Sequence, residues 1–304
     1  MNRESLISAT KRVVSGSQWL FGPVALLFLA VAGWRARSVV VAVFEQADAL
    51  MLLLVIGLWA SLHLLTPALS RIMLLESGAD VSYRTLLEIH VGRLPARYLP
   101  GGIWHTVSRV IDLRARGVAR AQLSIMVLLE NSVPLAIAVA LGGLCLSLSD
   151  NAGWPALGAA LGGSLLLACP WLLLRHRSLA PGGSFRARSY LRLIALTTLF
   201  WFGAATAFYC FWSAFPQARG AVSALQIYGT YLLAWSAGFV SVFAPQGIGV
   251  FESVAALFLR GSLAFAGAAV LVAGFRIAIL AADMLAFGVL FAIRRVRSAR
   301  RRSR

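Results

Sequence analysis

Seven ionisable residues stand where an apolar chain has little reason to keep a charge. Glu130 lies nine residues into the apolar run 121–148. Arg276 is in the middle of the run 262–293, and Asp283 follows seven residues later, two turns along the same helical face. Glu252 follows one Pro/Gly-rich break, and Arg93, Arg97 and Arg109 flank another. Ionisable groups are costly inside a membrane and usually mark a functional site there. The arginine fork binds phosphate through two parallel hydrogen bonds. A basic cavity with a few balancing carboxylates suits a phosphate-bearing head group. Glu130, Glu252 and Asp283 would balance the charge or receive a cationic group. The alternative is structural. Glu130 and Arg276 then form an ion pair inside the bundle, and Glu252 caps a broken helix or pairs with Arg260.

The two breaks share a composition. Residues 93–109 read Arg-Leu-Pro-Ala-Arg-Tyr-Leu-Pro-Gly-Gly-Ile-Trp-His-Thr-Val-Ser-Arg, and residues 244–252 read Ala-Pro-Gln-Gly-Ile-Gly-Val-Phe-Glu. Proline removes a backbone donor, and glycine permits close backbone approach. Lipid satisfies neither freed group, so such breaks persist at membrane depth only against protein or a wet cavity. Paired breaks in two halves of a chain point to a transport site. Pro100, Gly101, Gly102 and Trp104 in the first break, with Pro245, Gln246, Gly247 and Gly249 in the second, are the expected hinge positions. The alternative is a pair of tight turns between helices.

Composition names the scaffold that must position these residues. Of 304 residues, 60% are hydrophobic and 13% charged, and the mean hydropathy is +0.81. A soluble domain carries about 25% charge, so an ordinary cytosolic enzyme is excluded, and so is disorder. A bilayer span takes about 20 apolar residues. Apolar runs fall at 18–34, 49–70, 121–148, 154–174, 191–215, 222–243 and 262–293, with a shorter one at 246–260. The pattern predicts an all-α, polytopic helical membrane protein with about seven or eight crossings. Residues 86–111 are expected to be re-entrant, and the crossings to form two pseudo-repeats. The whole chain, 1–304, reads as one membrane domain: a first half at about 18–148, a second at about 154–293, and a basic tail at 294–304.

The net charge of +17 is almost all arginine, Lys11 being the only lysine. Arginine-rich segments at 71–120, 175–192 and the tail are assigned to the cytoplasm with the N-terminus. No nucleic-acid motif accompanies the charge, so no nucleic-acid partner is expected. The first run lacks a cleavage pattern and reads as a retained helix. Cys145, Cys169 and Cys210 lie in apolar runs, and His63, His90, His105 and His176 lack metal-ligand spacing, so no metal and no cofactor is expected. His105, beside Trp104, is expected to make a local hydrogen bond rather than carry a proton. No Walker motif is present.

Taken together, Arg93, Pro95, Tyr98, Pro100-Gly101-Gly102 and Trp104, then Glu130, then Pro245-x-Gly247-x-Gly249-Val250-x-Glu252 and Arg276, resemble the lysylphosphatidylglycerol synthase transmembrane-domain family. The resemblance spans roughly 45–293. It implies a flippase-type membrane domain in the bacterial cytoplasmic (inner) membrane, with Arg93, Pro100, Gly101, Gly102, Arg109 and Glu130 in one half. Pro245, Gly247, Gly249, Glu252 and Arg276 are their counterparts in the other. Gln246 departs from the family's usual Pro-Gly-Gly, and no soluble synthase domain follows the last run, so lysylphosphatidylglycerol synthesis is not expected. The expected function is a lipid translocase that moves or binds an anionic phospholipid or a polyprenyl-phosphate-linked lipid. An envelope-biosynthesis partner or a second copy is the further partner considered. Two other classes compete: a membrane-embedded enzyme using Glu45 and Asp48 on lipid-linked substrates, and a non-transporting accessory subunit.

Overall fold

The computed structural model describes residues 45–98, 103–149, 153–175, 185–220, 222–241, 247–259 and 265–302. The run 18–34, and Pro100, Gly101, Gly102, Pro245, Gln246 and Arg260, lie outside the described residues. Among those described, the chain is helical throughout, with no strand.

Local chemistry sets where the helices begin. The Asp48 carboxylate accepts the amides of Leu50 and Met51 at 3.0 and 3.2 Å and opens α1 (Ala49–Leu62). Side-chain oxygens at this position satisfy amides that have no partner within the helix. Pro67 then interrupts what would be one long helix. It lacks an N–H, and its ring collides with the carbonyl four residues back, at His63. The chain turns at His63–Leu64 and resumes as α2 (Leu65–Glu76). The Tyr83 hydroxyl donates to the Leu64 carbonyl at 2.9 Å and satisfies that turn. Ser82 caps α3 (Tyr83–Gly92), and a 3₁₀ turn (Leu94–Tyr98) leads toward α4 (Trp104–Arg114).

The longer helices follow: α5 (Arg120–Ser147), α6 (Trp154–Arg175), α7 (Ala187–Ser213) and α8 (Ala224–Val240). A short α9 (Val250–Phe258) precedes α10 (Phe265–Arg302). The last helix continues well past the apolar run into the arginine tail, because arginine is a good helix former. Among the described residues, four stretches are long and apolar enough to cross a membrane: Ala49–Glu76, Arg120–Ser147, Ala187–Ser213 and Gly267–Val296. Their outer faces carry exposed Leu53, Leu128, Leu199, Ile277 and Phe291, the apolar surface expected of helices that meet lipid.

Inside, small residues allow close packing. A Cβ added to Gly143 would lie 2.3 Å from the Ala160 nitrogen, and one added to Gly163 would lie 2.3 Å from the Ala140 nitrogen. α5 and α6 therefore touch backbone to backbone, the usual means of helix association in lipid. The centre is aromatic. Trp201, Phe208 and Phe211 of α7 meet Tyr231 of α8, Phe251 of α9 and Phe275 of α10. This core brings α9 and α10 against α8 and α1 and fixes the polar groups beside it.

Candidate functional site

Three carboxylates, each held by an arginine, form the polar interior. The first pair joins α4 to α5. Arg109 donates from Nη1 to Glu130 Oε2 at 3.2 Å and from Nη2 to Oε1 at 2.8 Å. Ser70 of α2 closes the group, accepting from Arg109 Nη2 at 2.9 Å and donating to Glu130 Oε1 at 2.6 Å. Arg109 and Ser70 are both buried.

The second pair joins α9 to α10. Arg276 Nε donates to Glu252 Oε1, and Nη2 donates to the Gly247 carbonyl at 3.2 Å. Glu252 Oε2 accepts the Gly249 amide at 2.7 Å, so the same carboxylate caps α9. The guanidinium also lies 5.0 Å from the Phe251 ring centre, a cation–π contact. Gly247 and Gly249 have φ of 67° and 86°, a region that favours glycine. The expected cap on Glu252 is therefore present. The expected Glu130–Arg276 pair is corrected: each residue has a different partner, because α4 stands beside α5 and α9 beside α10.

The third group centres on Asp283 of α10, which is fully buried. Its Oδ2 accepts from the Tyr98 hydroxyl at 2.8 Å and from Arg97 Nη1 at 3.3 Å. Its Oδ1 meets His63 Nε2 at 2.9 Å. His63 Nδ1 lies 3.2 Å from His90 Nε2, and the His90 and His105 rings stand 5.3 Å apart, edge to face. His105 faces the His90 backbone, and its Nε2 is buried without a partner among the described residues. Burial and the nearby Arg109 guanidinium disfavour charge on both His90 and His105 and push His105 down to about 3.

Arg97 differs from the other two arginines. Its side chain is 42% exposed, against 6% for Arg109 and 27% for Arg276. It stands in the 3₁₀ turn beside Tyr98, with Tyr231 of α8 within electrostatic reach. Tyr98 beside it lies within electrostatic reach of Arg276. Arg97, Tyr98, Asp283 and Arg276 thus form one neighbourhood, and Arg109 joins it through the histidines. Arg93 stands elsewhere. It grips Asp112 through two bonds of 2.7 and 2.9 Å, near Glu88, Arg116 and Arg294. That hydrogen-bonded pairing holds the Asp112 carboxyl below its ordinary range. Trp104 opens α4 with its ring 40% exposed. Asp48, weighed as a catalytic carboxylate, caps α1 instead.

Among the described residues, these three groups set Arg97, Arg109 and Arg276 against Glu130, Glu252 and Asp283, three charges of each sign. An anion entering there competes with a carboxylate for its arginine. Sequence reasoning passed over Tyr98, Ser70, His63 and His90. His63 had a usable signal: it is a titratable residue inside the run 49–70, followed four residues later by Pro67. No family model matches the chain, and neither does any curated protein.

Proposed function

We propose that this is a multi-pass membrane protein that binds a lipid by its phosphate-bearing head group and carries that lipid between leaflets. The lipid is an anionic phospholipid or a polyprenyl phosphate. One observation carries the reading: the Arg97 side chain is 42% exposed, it reaches Asp283 through a long 3.3 Å contact, and the Tyr98 hydroxyl shares the same carboxylate oxygen. A phosphate takes bidentate arginine and a hydroxyl donor well. The interrupted backbone on both sides supports movement. The 3₁₀ turn bearing Arg97 sits between two short helices, and the turn at 247–249 bears the carbonyl that Arg276 holds. In this reading the chain has seven or eight crossings in two pseudo-repeats, with both termini cytoplasmic.

Lipid co-purification tests the binding step. The full chain, extracted in mild detergent, is analysed by native mass spectrometry with lipid extraction. Wild type should retain one enriched phosphate-bearing lipid. Arg97→Ala should lose it, while Arg84→Ala, at an exposed i,i+4 pair, should retain it. Bulk lipid composition in all three contradicts the proposal.

A further inference from the structure

The histidine line has a direction. Asp283 accepts from Tyr98 and Arg97, so its other oxygen is also an acceptor, and His63 Nε2 carries the hydrogen between them. Neutral His63 then offers Nδ1 as an acceptor, and His90 Nε2 is the donor to it. That leaves His90 Nδ1 as a bare acceptor. It is buried and has no partner among the described residues. Buried polar atoms are normally satisfied. An open acceptor at the end of a directed line of imidazoles is a place for a proton to enter. The groups are strung in sequence, each facing the next, and do not converge on a point as metal ligands do.

Charged and titratable groups face this line from every side. Arg109 and His105 of α4 lie beside His90, with Glu130 of α5 and Ser70 of α2 neutralising Arg109. Arg97 and Tyr98 come from the 3₁₀ turn, Asp283 from α10, and Tyr231 of α8 lies within reach of Arg97 and Arg276. Among these, Asp283 is the carboxylate that touches an imidazole, so a proton settles at His63 rather than at His90 or His105.

We propose that His90–His63–Asp283 is a proton-binding line that sets the charge at Arg97, so that one proton is taken up with each anionic head group. This rests on the head-group reading of Arg97. A proton bonds to His90 Nδ1, and the hydrogen on His90 Nε2 passes to His63 Nδ1. His90 is left neutral with its hydrogen moved to Nδ1. His63 becomes an imidazolium with both nitrogens protonated and takes Asp283 as its counter-ion. No other bond changes. The His63–Asp283 pair goes from one negative charge to none, and Arg97 becomes a cation without a net counter-charge, ready for a phosphate. Linkage is reciprocal: the anion raises proton affinity as the proton raises anion affinity.

The test uses the full chain in nanodiscs of phosphatidylcholine, with phosphatidylglycerol as the probe. Histidine NMR and phosphatidylglycerol affinity are followed from about pH 5 to about pH 8, the range of histidine titration. In wild type, affinity rises on acidification with a slope approaching about tenfold per pH unit, the limit for one linked proton. Asp283→Asn should bind tightly at every pH, because Arg97 has lost its carboxylate. His63→Gln should bind weakly at every pH, because the carboxylate keeps Arg97. Wild-type affinity that is flat with pH, or two variants that move the same way, overturns the coupling while leaving the head-group site standing. Affinity for phosphatidylglycerol no greater than for phosphatidylcholine at any pH overturns the head-group reading and the coupling with it. Histidine spectra that do not change across this range overturn the proton line itself.

Discussion

Arg109 is enclosed, and its guanidinium is committed to Glu130 and Ser70. Removing one member of a buried pair leaves the other charged and unsatisfied, at about 3–5 kcal/mol, whereas replacing both with apolar groups is often neutral. Arg109→Ala should therefore lower stability by about that amount, and Arg109→Met with Glu130→Leu should recover most of it. Unfolding in mixed micelles measures both; equal losses in the single and double variants contradict this account of the pair. The residues themselves were legible. A charge inside an apolar run announces itself, and Glu130, Arg276 and Asp283 were found that way. Their partners were not legible, because Arg109 and Glu130 meet only through the placement of α4 beside α5. His63 obeyed the same rule as Glu130 and was judged instead by metal-ligand spacing, which was the wrong question for it.

At the scale of elements, run length located α5, α6, α7 and α8 to within a few residues. The run 49–70 falls within one stretch long and apolar enough to cross, Ala49–Glu76, but run length did not show that Pro67 divides it into α1 and α2 and brings His63 to the turn. A single proline among apolar residues was easily read through, since proline is tolerated in the first turn of a helix. The helix-to-helix contacts were also hidden, because consecutive glycines look alike in sequence. Gly163 faces the α5 backbone, whereas a Cβ on Gly162 would meet nothing within 4 Å. Gly163→Val should cost about 1–3 kcal/mol or more through overpacking, and Gly162→Val should change little. Thermal melts of the two variants side by side check this, and equal losses would mean that α5 and α6 do not pack as described.

For the whole molecule, composition alone separated a helical membrane protein from a soluble one, because 60% apolar residues cannot be enclosed in one core. Composition did not reveal that these three described groups balance, with three charges of each sign. It is the balance that makes a proton useful. A neutral cluster admits an anion only when one carboxylate is neutralised or finds another cation, the role proposed above for the line from His90 to Asp283. The aromatic centre holds α1, α7, α8, α9 and α10 together around that neighbourhood. The 3₁₀ turn and the turn at 247–249 interrupt the helices beside it. The most direct measurement is movement itself. Proteoliposomes carrying fluorescent phosphatidylglycerol in both leaflets are treated with dithionite, which bleaches only the outer leaflet. With wild type, the shielded inner-leaflet fraction should become accessible, and with Arg97→Ala it should stay shielded. Inner-leaflet lipid that stays shielded with inserted wild-type protein, at acidic and neutral pH alike, contradicts the account.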